Sequence, residues 1–414
     1  MSKNSNRVGF YCWAGPGTIA MLRLKYFNPP INESSFLTSY DQDYLWEVKK
    51  TFGVTDFFAM YSWGFSDEFE SADREFILSR LANFKKLGLR VHAYIQGPNL
   101  VYRDFKDRDF FCIDNRGRKI SYHRGRKLTC PNNPNFRKYI YQKIEQACEH
   151  DFAGIYMDNA FFGQLGLPSL ARSPKVFVGC ACKYCRGKFE KQTDRKFPKD
   201  FRDRELTQQY LDFRADSLTE FLAEAAAIAH RAGKEFGSNS YDPRFDSKFV
   251  YGQDLSALDK IQDYFLFETI SLPSQPDKKN HLYLDELRQT GTIAKPVFVL
   301  TYKKGISFDS SFRQKDFDSI FTEAEQLDYA PCLKGTEFVT RGRWHNLEIE
   351  RYRSPRILSN FELKKICRSK FFCFKNFSFL TPVLDWLANP FMTFYFENRL
   401  ARKIFGWLEQ QMLD

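Results

Sequence analysis

The stretch GIYMDNAFFG, residues 154–163, runs from apolar residues directly into Asp158 and Asn159. Its first part is short and rich in Ile, Tyr and Met, which is typical of a strand buried on both faces. A strand that ends on a carboxylate is what the active-site edge of a parallel barrel requires. The stretch therefore predicts a buried parallel strand, and further strands of the same kind should lie on either side of it.

Seven further runs share this composition, each short and rich in Val, Ile, Phe or Tyr. They cover residues 8–15, 55–63, 90–96, 235–241, 263–269, 295–302 and 330–335. Amphipathic helical patterns lie between them, over residues 71–88, 134–151, 205–233 and 310–328. Eight strands with intervening helices predict an α/β fold, a (β/α)₈ TIM barrel over residues 1–340. A doubly wound sheet is the alternative, but no G-x-G-x-x-G follows the first strand.

Composition restricts the class of protein and its partners. The chain has 414 residues, 43% hydrophobic and 27% charged, which is ordinary for a soluble globular protein. Its formal net charge of +11 is either a solvated basic surface or an attraction to anionic partners. No nucleic-acid-binding motif is visible, so we expect no nucleic-acid partner. With no apolar run resembling a signal peptide or a spanning helix, we expect a cytoplasmic protein with mostly reduced or metal-bound cysteines.

Residues 341–414 differ from the rest of the chain, because Lys and Arg are mixed there with dense Phe, Trp and Leu. Their last part, NRLARKIFGWLEQQML, has helical periodicity with a basic side. One interpretation is a C-terminal helical extension packed on the barrel. The other is a surface for a partner or for peripheral contact with a membrane. The periodicity does not separate these two interpretations.

Side chains at the carboxyl ends of barrel strands surround the active site. The fourth predicted strand ends on Asp158 and the sixth on Glu268, and two carboxylates across a cleft are what glycosidic cleavage generally needs. A carboxylate that caps a helix or forms an ion pair is the alternative for each. Aromatic faces stack on sugars and amides bind hydroxyls, so the predicted substrate-binding residues are Trp13, Tyr61, Trp63, Tyr94, Gln96, Asn159, Asn239, Tyr241 and Tyr302.

A C-x-C-x-x-C motif, Cys180, Cys182 and Cys185, lies in a predicted loop after the fourth strand. Tetrahedral zinc takes four such thiolates, and Cys130 is the candidate for the fourth. Free thiols are the alternative. Four thiolates would leave no open position, so we expect a structural zinc that holds loops together and does not activate water. The remaining cysteines, Cys12, Cys112, Cys148, Cys332, Cys367 and Cys373, are expected to be small core residues.

Three segments together resemble the barrel glycoside hydrolases of family 42, the β-galactosidases, and their uncharacterised glycosidase-like relatives. They are TCPNNPNFRKYI (129–140), GIYMDNAFFG (154–163) and CACKYCRGKFEK (180–191). The resemblance implies a (β/α)₈ barrel, and it implies that Cys130, Cys180, Cys182 and Cys185 hold zinc.

The sequence departs from that family at its catalytic residues. The family carries Asp-Asn-Glu at the end of the fourth strand, with the Glu as acid/base, whereas this chain has Ala160 after Asn159. The family's nucleophile lies on the seventh strand, and Glu268 is on the predicted sixth. The resemblance therefore does not carry β-galactosidase activity to this chain.

Three functions follow as hypotheses. The first is a glycoside hydrolase in which Asp158 and Glu268 form the carboxylate pair. The second is a non-catalytic barrel that binds sugar or acts as a scaffold in polysaccharide synthesis, having lost the family Glu. The third is a zinc-dependent enzyme, which the four saturating thiolates oppose.

Overall fold

The computed structural model describes residues 7–12, 39–122, 126–163, 179–241, 247–269, 283–301 and 314–334. The predictions for Trp13, Tyr302 and residues 341–414 lie outside these ranges, and the side chain of Tyr241 is not described. None of the helices in these ranges is long and apolar enough to cross a membrane.

Eight parallel strands close into a barrel, which confirms the predicted (β/α)₈ architecture. In chain order the strands are β1 (Gly9–Cys12), β2 (Asp56–Ser62), β3 (Arg90–Gln96), β4 (Asn99–Val101), β5 (Arg126–Leu128), β6 (Gly154–Asp158), β7 (Glu235–Tyr241), β8 (Tyr264–Thr269), β9 (Val297–Thr301) and β10 (Ala330–Lys334). The barrel order is β1, β2, β3, β6, β7, β8, β9, β10, and β10 pairs back onto β1. Each barrel strand lies inside or within one residue of a predicted run.

Helices connect the barrel strands and cover their outer side. They are α1 (Gln42–Phe52), α2 (Asp67–Lys86), α3 (Pro134–Cys148), α4 (Lys183–Thr193), α5 (Arg204–Arg231), α6 (Ser247–Tyr251), α7 (Leu255–Asp259), α8 (Tyr283–Gln289) and α9 (Gln314–Leu327). Helix α3 begins where Asn133 accepts hydrogen bonds from the backbone N–H groups of Asn135 and Phe136, with Pro134 in the first turn. Helices α2, α3, α5 and α9 were predicted, and the others were not.

Strands β4 and β5 are a short antiparallel pair outside the barrel, in the connection between β3 and β6. They were not predicted, since each has only three residues. A 3₁₀ helix over Tyr102–Phe105 follows β4. The pair lies beside the loop after β2, because the N–H of Val101 donates to the carbonyl of Gly64 at 2.9 Å.

Side chains alternate along each strand, and this alternation decides which of them face the barrel interior. The ring of Phe58 lies 5.2 Å from that of Tyr156 and 6.0 Å from that of Tyr264, so all three point inward. Asp158 follows Tyr156 by two residues on β6, and Glu268 follows Tyr264 by four on β8. Both carboxylates therefore point to the inner side at the carboxyl ends of their strands.

The opposite end of the barrel contains a buried charged cluster around Asp56. Its carboxylate pairs with Arg7 at 2.6 Å and with His92 Nε2 at 2.9 Å. The other ring nitrogen of His92 lies 3.2 Å from the hydroxyl of Tyr264. Burial alone would raise the pKa of Asp56, but the hydrogen bonds from His92 and Arg7 outweigh it and hold that pKa well below its usual range. Residues at this end of a (β/α)₈ barrel contribute to stability and not to catalysis.

We expect Asp56→Asn to lower the free energy of unfolding by about 3–5 kcal/mol, because it removes the buried carboxylate that pairs with both Arg7 and His92 and, among the described residues, leaves Arg7 only Glu235, at 3.5 Å. The folded-state pKa of Asp56 is depressed, so its contribution is present above the unfolded pKa of about 3.9 and is lost as pH falls below it. Urea unfolding of wild type and variant between pH 3 and 7 measures both effects. The control is Asp151→Asn, which removes an exposed ion pair with Lys85 and should leave the urea midpoint unchanged. Equal midpoints for wild type and Asp56→Asn would contradict the assignment.

Candidate active site

Asp158 lies at the carboxyl end of β6 with only 4% of its surface exposed. Its Oδ2 accepts hydrogen bonds from the hydroxyl of Tyr94 and the side-chain amide of Asn159, and its Oδ1 accepts from Tyr156 at 3.2 Å. It also pairs in register with Gln96 on β3. Asp158, Tyr94, Gln96 and Asn159 were predicted site residues, and the structure brings all four together.

Two causes raise the pKa of Asp158 to about 7, and the larger is its burial. The second is the negative charge of Glu268, while the hydrogen bonds from Tyr94, Asn159 and Tyr156 act in the opposite direction. Glu268 is on β8, two strands from β6 in the barrel, which corresponds to roughly 10 Å between strand axes. Because both side chains point inward, the two predicted carboxylates face the same end of the barrel.

Three tyrosines lie beneath the carboxylates. The ring of Tyr11 packs edge-on against those of Tyr94 and Tyr156, at centroid distances of 5.8 and 5.9 Å. Burial first, and then the charges of Asp158 and Glu268, raise the pKa of all three hydroxyls well above the usual range. Tyr94 and Tyr156 donate to Asp158, and Tyr11 packs against both of their rings, so the three form one layer below that carboxyl group.

Asn159 has a backbone φ of 53°, in the left-handed region that Asn tolerates better than most residues. Its Oδ1 accepts from the hydroxyl of Tyr122 at 2.5 Å. The following N–H, of Ala160, donates to Asn239 Oδ1 at 3.0 Å. Gln253 donates to the carbonyl oxygens of Ala160 and Asn239. Hydrogen bonds with Tyr122, Asn239 and Gln253 therefore fix the turn after β6.

Two buried polar atoms beside this turn have no hydrogen-bond partner among the described residues. They are Nδ2 of Asn239, a predicted substrate-binding residue, and Oε1 of Gln253. Buried polar groups are normally satisfied, so an unpartnered donor and acceptor at one place are a feature expected of a polar ligand site.

Two predicted substrate-binding aromatics are placed differently. Tyr61 packs on Phe152 at 5.7 Å, away from the group around Asp158, because strand alternation turns it outward when Phe58 points inward. Trp63 lies in the loop after β2 and carries the guanidinium of Arg126 over its ring at 4.2 Å. One of its faces is therefore already occupied by a protein cation.

Several residues near the site were not predicted as site residues, namely Tyr11, Asn99, Tyr122, Arg126, Tyr156 and Gln253. Tyr156 could have been found, since it precedes Asp158 by two residues on one strand and so shares its side. Tyr122 and Arg126 come from the connection that carries β4 and β5, and their partners are distant in sequence. No local pattern in the sequence marks them.

Four cysteine sulfurs converge at one place, all within 4.8 Å of one another: Cys130, Cys180, Cys182 and Cys185. Cys130 Sγ lies 3.3 Å from that of Cys185 and 3.6 Å from that of Cys182. Cys182 and Cys185 are not in a loop as predicted, because Cys182 is the N-cap of α4 and Cys185 lies in its first turn.

The cluster fits a tetrahedral metal bound by thiolates, for which a metal–sulfur distance of about 2.3 Å implies sulfurs roughly 3.8 Å apart. Burial opposes ionisation of Cys180, but the neighbouring thiols hold its pKa well below its usual range. Cys112 is buried in the core, as expected, and its thiol donates to the carbonyl of Thr129 at 3.2 Å. The side-chain amide of Asn132 also donates to the sulfur of Cys185 at 3.5 Å.

A close contact between two glycines connects the turn after β6 to the cysteine cluster. Gly163 has φ 87°, and a Cβ there would lie 2.3 Å from the Cα of Gly179. Gly179 has φ 107°, and a Cβ there would lie 2.0 Å from the hydroxyl oxygen of Tyr210. Neither position has space for a Cβ atom. The close packing of these two glycines therefore fixes the backbone just after the turn that follows β6 and just before Cys180.

Comparison with known proteins shows the fold. No protein-family model and no curated protein matches the sequence. Solved structures that resemble the chain include the β-galactosidase from Rahnella sp. R3, 12% identical with a TM-score of 0.54 over 88% of this chain and 56% of that one. The β-galactosidase from the haloarchaeon Halorubrum lacusprofundi is 14% identical, with a TM-score of 0.52 over 79% and 52%.

A catalytic mutant of Gan42B, a family 42 β-galactosidase from G. stearothermophilus, is 12% identical, with a TM-score of 0.52 over 80% of this chain and 51% of that one. The chain thus spans about half the length of these enzymes. The chain therefore shares the (β/α)₈ barrel fold of these structures.

Proposed function

We propose that the protein hydrolyses a glycosidic bond, with Asp158 and Glu268 as the pair of carboxylates. The observation that carries the proposal is the placement of Asp158 and Glu268, which lie at the carboxyl ends of β6 and β8 and both point to the inner side of the barrel. Burial and the neighbouring charge of Glu268 also raise the pKa of Asp158 to about 7. A carboxyl group with that pKa is protonated in a useful fraction of molecules near neutral pH. A buried carboxylic acid that keeps its proton, with a second carboxyl group nearby, is the arrangement that glycoside hydrolysis uses.

In this proposal Asp158 is the general acid and protonates the oxygen of the leaving sugar. The hydrogen bonds from Tyr94, Tyr156 and Asn159 stabilise the carboxylate that remains, so they favour proton release as the bond breaks. Glu268 acts on the anomeric carbon directly as a nucleophile, or through a water as a base. A carboxyl separation of about 5 Å gives the first outcome and about 6.5–9.5 Å the second.

The four clustered cysteines would hold zinc, which as a closed thiolate site supplies structural cross-linking and no open coordination position. Cys182 is the N-cap of α4 and Cys185 lies in its first turn, whereas Cys130 lies just before α3, three residues ahead of its N-cap, Asn133. Bound there, the ion would fix the start of α4 against the start of α3. Asn132 would direct a hydrogen bond at the thiolate of Cys185 from outside the coordination sphere.

The test is a turnover screen with the full-length protein. Nitrophenyl glycosides of both anomers and a panel of oligosaccharides are incubated with wild type and with the double variant Asp158→Asn/Glu268→Gln. We expect at least one substrate to be cleaved by wild type alone, and the anomer of the first product, followed by NMR, reports retention or inversion. Cleavage that persists in the double variant would show that other residues carry the chemistry.

A barrel that binds sugar without cleaving it is the second candidate. Ala160, at the position of the family acid/base, is fully buried and is held by the hydrogen bond from its N–H to Asn239. That position therefore carries no carboxylate, and its backbone is fixed by Asn239. Saturable binding of an oligosaccharide without turnover by wild type would favour this candidate.

A further inference from the structure

Most of the positive charge of the chain lies in two segments that follow the carboxyl ends of barrel strands. In the connection after β3, residues 102–122 and 126–128 carry eight Lys or Arg and four Asp. After β6, residues 180–205 carry nine Lys or Arg and five Asp or Glu. Together the two segments have a surplus of eight positive charges, out of a net charge of +11 for the whole chain. The charge is therefore concentrated at the end of the barrel that holds the candidate active site.

The two segments are in contact with each other. The N–H of Ala181 donates to the carbonyl of Ile113 at 2.8 Å, and the side-chain amide of Asn115 donates to the carbonyl of Lys199 at 2.8 Å. Their cations therefore lie on adjoining parts of one surface. We call it the basic surface and define it by Lys106, Arg116, Lys119, Lys127, Lys183 and Lys199.

The cations of the basic surface are accessible and are not neutralised by the protein. Four of the six are exposed, and Lys119 and Lys127 are half-buried. None of the six has a carboxylate within 4.0 Å among the residues that the structure describes. Two nearby carboxylates, of Asp104 and Asp114, are paired instead with arginines outside this set.

Lys119 and Lys127 are held at the same aromatic ring. Their ammonium nitrogens lie 4.8 and 5.3 Å from the centroid of the Tyr102 ring. Lys119 donates to the hydroxyl of Tyr102 at 3.2 Å, and Lys127 donates to the hydroxyl of Ser121 at 3.0 Å. Their other acceptors are backbone carbonyls. Two positive charges at one ring, with only neutral acceptors, attract anions from solution.

The basic surface and the candidate active site lie on opposite sides of β5. Successive side chains of a strand point to opposite sides, so Lys127 points away from the side on which Arg126 is buried over Trp63. Tyr122 joins the two sides, because its N–H donates to the carbonyl of Arg126 at 3.1 Å and its hydroxyl donates to Asn159. A polymer on the basic surface would therefore lie one strand away from the turn that carries Asn159.

We propose that the basic surface binds an acidic polysaccharide, whose carboxylate or sulfate groups pair with these lysines and arginines outside the candidate active site. An exposed ion pair contributes little by itself, so binding depends on several of them acting together, and a polymer with repeated charges supplies them. The proposal rests on the proposed function only in taking the anionic polymer to be a glycan. Binding here needs neither Asp158 nor Glu268.

Two other polyanions fit the surface less well. An anionic bilayer is usually bound with help from exposed apolar side chains, and the one large hydrophobic exposed in the described ranges, Trp46, lies in α1 and not on the basic surface. Single-stranded nucleic acid stacks its bases on open aromatic faces. The Tyr102 ring is already flanked by the two lysines and packs edge-on against Phe111 at 5.3 Å.

The experiment is calorimetric titration of the full-length protein with dextran, carboxymethyl-dextran and dextran sulfate, which share one backbone and differ in charge. We expect a charged derivative to bind at least about tenfold more tightly than dextran and to lose affinity as salt is raised, because exposed charges are screened. Which derivative binds more tightly separates carboxylate from sulfate. Lys119→Gln/Lys127→Gln should weaken this binding by about tenfold.

The matched control is Lys86→Gln/Lys260→Gln, which lowers the net charge by the same amount. Both lysines are exposed, and both lie at the amino end of the barrel, where α2 and α7 end. The control should bind the charged dextran as wild type does. Arg116→Gln/Lys199→Gln is a second test pair, since both side chains are exposed and their loss should weaken binding without affecting the fold.

An equal loss of affinity in the control pair would overturn the proposal, because net charge alone would then explain binding. Tighter binding of single-stranded DNA or of phosphatidylserine vesicles than of either charged dextran would also overturn it. Cleavage of neutral oligosaccharides by a protein that does not prefer charged dextran would overturn this proposal and leave the hydrolase assignment intact. Preferential binding that depends on Lys119 and Lys127, in a protein that cleaves nothing, would support it and overturn only the hydrolase assignment.

Discussion

Replacing Asp158 with Asn is expected to lower kcat/KM by roughly 10³-fold on a glycoside that the wild-type protein cleaves, within the usual range for loss of a general acid. The loss should depend on the leaving group. A 2,4-dinitrophenyl glycoside needs little protonation, so its cleavage should fall far less than that of an alkyl glycoside or an oligosaccharide. Steady-state kinetics on both kinds of substrate measure the difference, and equal losses would contradict the acid role of Asp158.

The pH dependence follows from the same carboxyl group. The protonated form is the active one and its pKa in the free protein is about 7, so kcat/KM should decrease above pH 7 on an alkaline limb. In Glu268→Gln the neighbouring charge is gone, and the pKa of Asp158 should be lower. Carbon NMR of the labelled aspartate carboxyl in that variant measures the shift without requiring activity.

Stability distinguishes a catalytic Asp158 from a structural one. Because the pKa of Asp158 is raised, the folded protein binds this proton more tightly than the unfolded chain does. Ionisation of Asp158 therefore lowers the free energy of unfolding as pH rises from about 4 to 7. Asn cannot ionise, so Asp158→Asn should melt at the same or a higher temperature than wild type at pH 8. A lower melting temperature would indicate that Asp158 supports the fold.

Removing the metal from the cysteine cluster should lower the melting temperature by about 10 °C or more, because binding free energy at a structural thiolate site is folding free energy. The purified protein should contain one zinc per chain by mass spectrometry of the metal. Melting curves with and without a strong chelator measure the effect. A cluster that is only a group of free thiols would show no metal and no response to the chelator.

The cysteine variants test the same site without a chelator. Cys182→Ser removes one of the four sulfurs and should lose zinc and melt early. Cys148→Ser is the matched control, because Cys148 is half-buried at the end of α3 and is not among the four. At a temperature where both forms are folded, the metal-depleted protein should keep its turnover, since a closed site takes no part in the chemistry.

The barrel could be predicted because each of its strands corresponds to a short run rich in β-branched and aromatic residues. Such a run can be recognised without knowledge of its tertiary contacts. The β4–β5 pair could not, because Asn99–Val101 and Arg126–Leu128 are three residues each and their pairing closes a long connection. Helix α4 was missed for another reason. Its sequence KYCRGKFEKQT contains Gly187 and few apolar residues, so its helical pattern is weak.

The candidate site was predictable to the extent that it depends on strand ends. Asp158 and Glu268 could be identified from their places at the end of apolar runs, and strand alternation explains why Tyr61 lies away from Asp158. Arg126 could not be identified, because its acceptors, Trp63 and Asn99, come from segments 63 and 27 residues earlier. A basic residue in a polar connection resembles an ordinary surface arginine until the tertiary structure buries it.

The contact between Gly163 and Gly179 also decides where the chain tolerates insertions. Because Gly163 and Gly179 are in contact, the two ends of the intervening segment are fixed to each other, and a change in the length of that segment adds little to the free energy of closing it. Insertions between these two glycines should therefore leave Asp158 and the four cysteines in place.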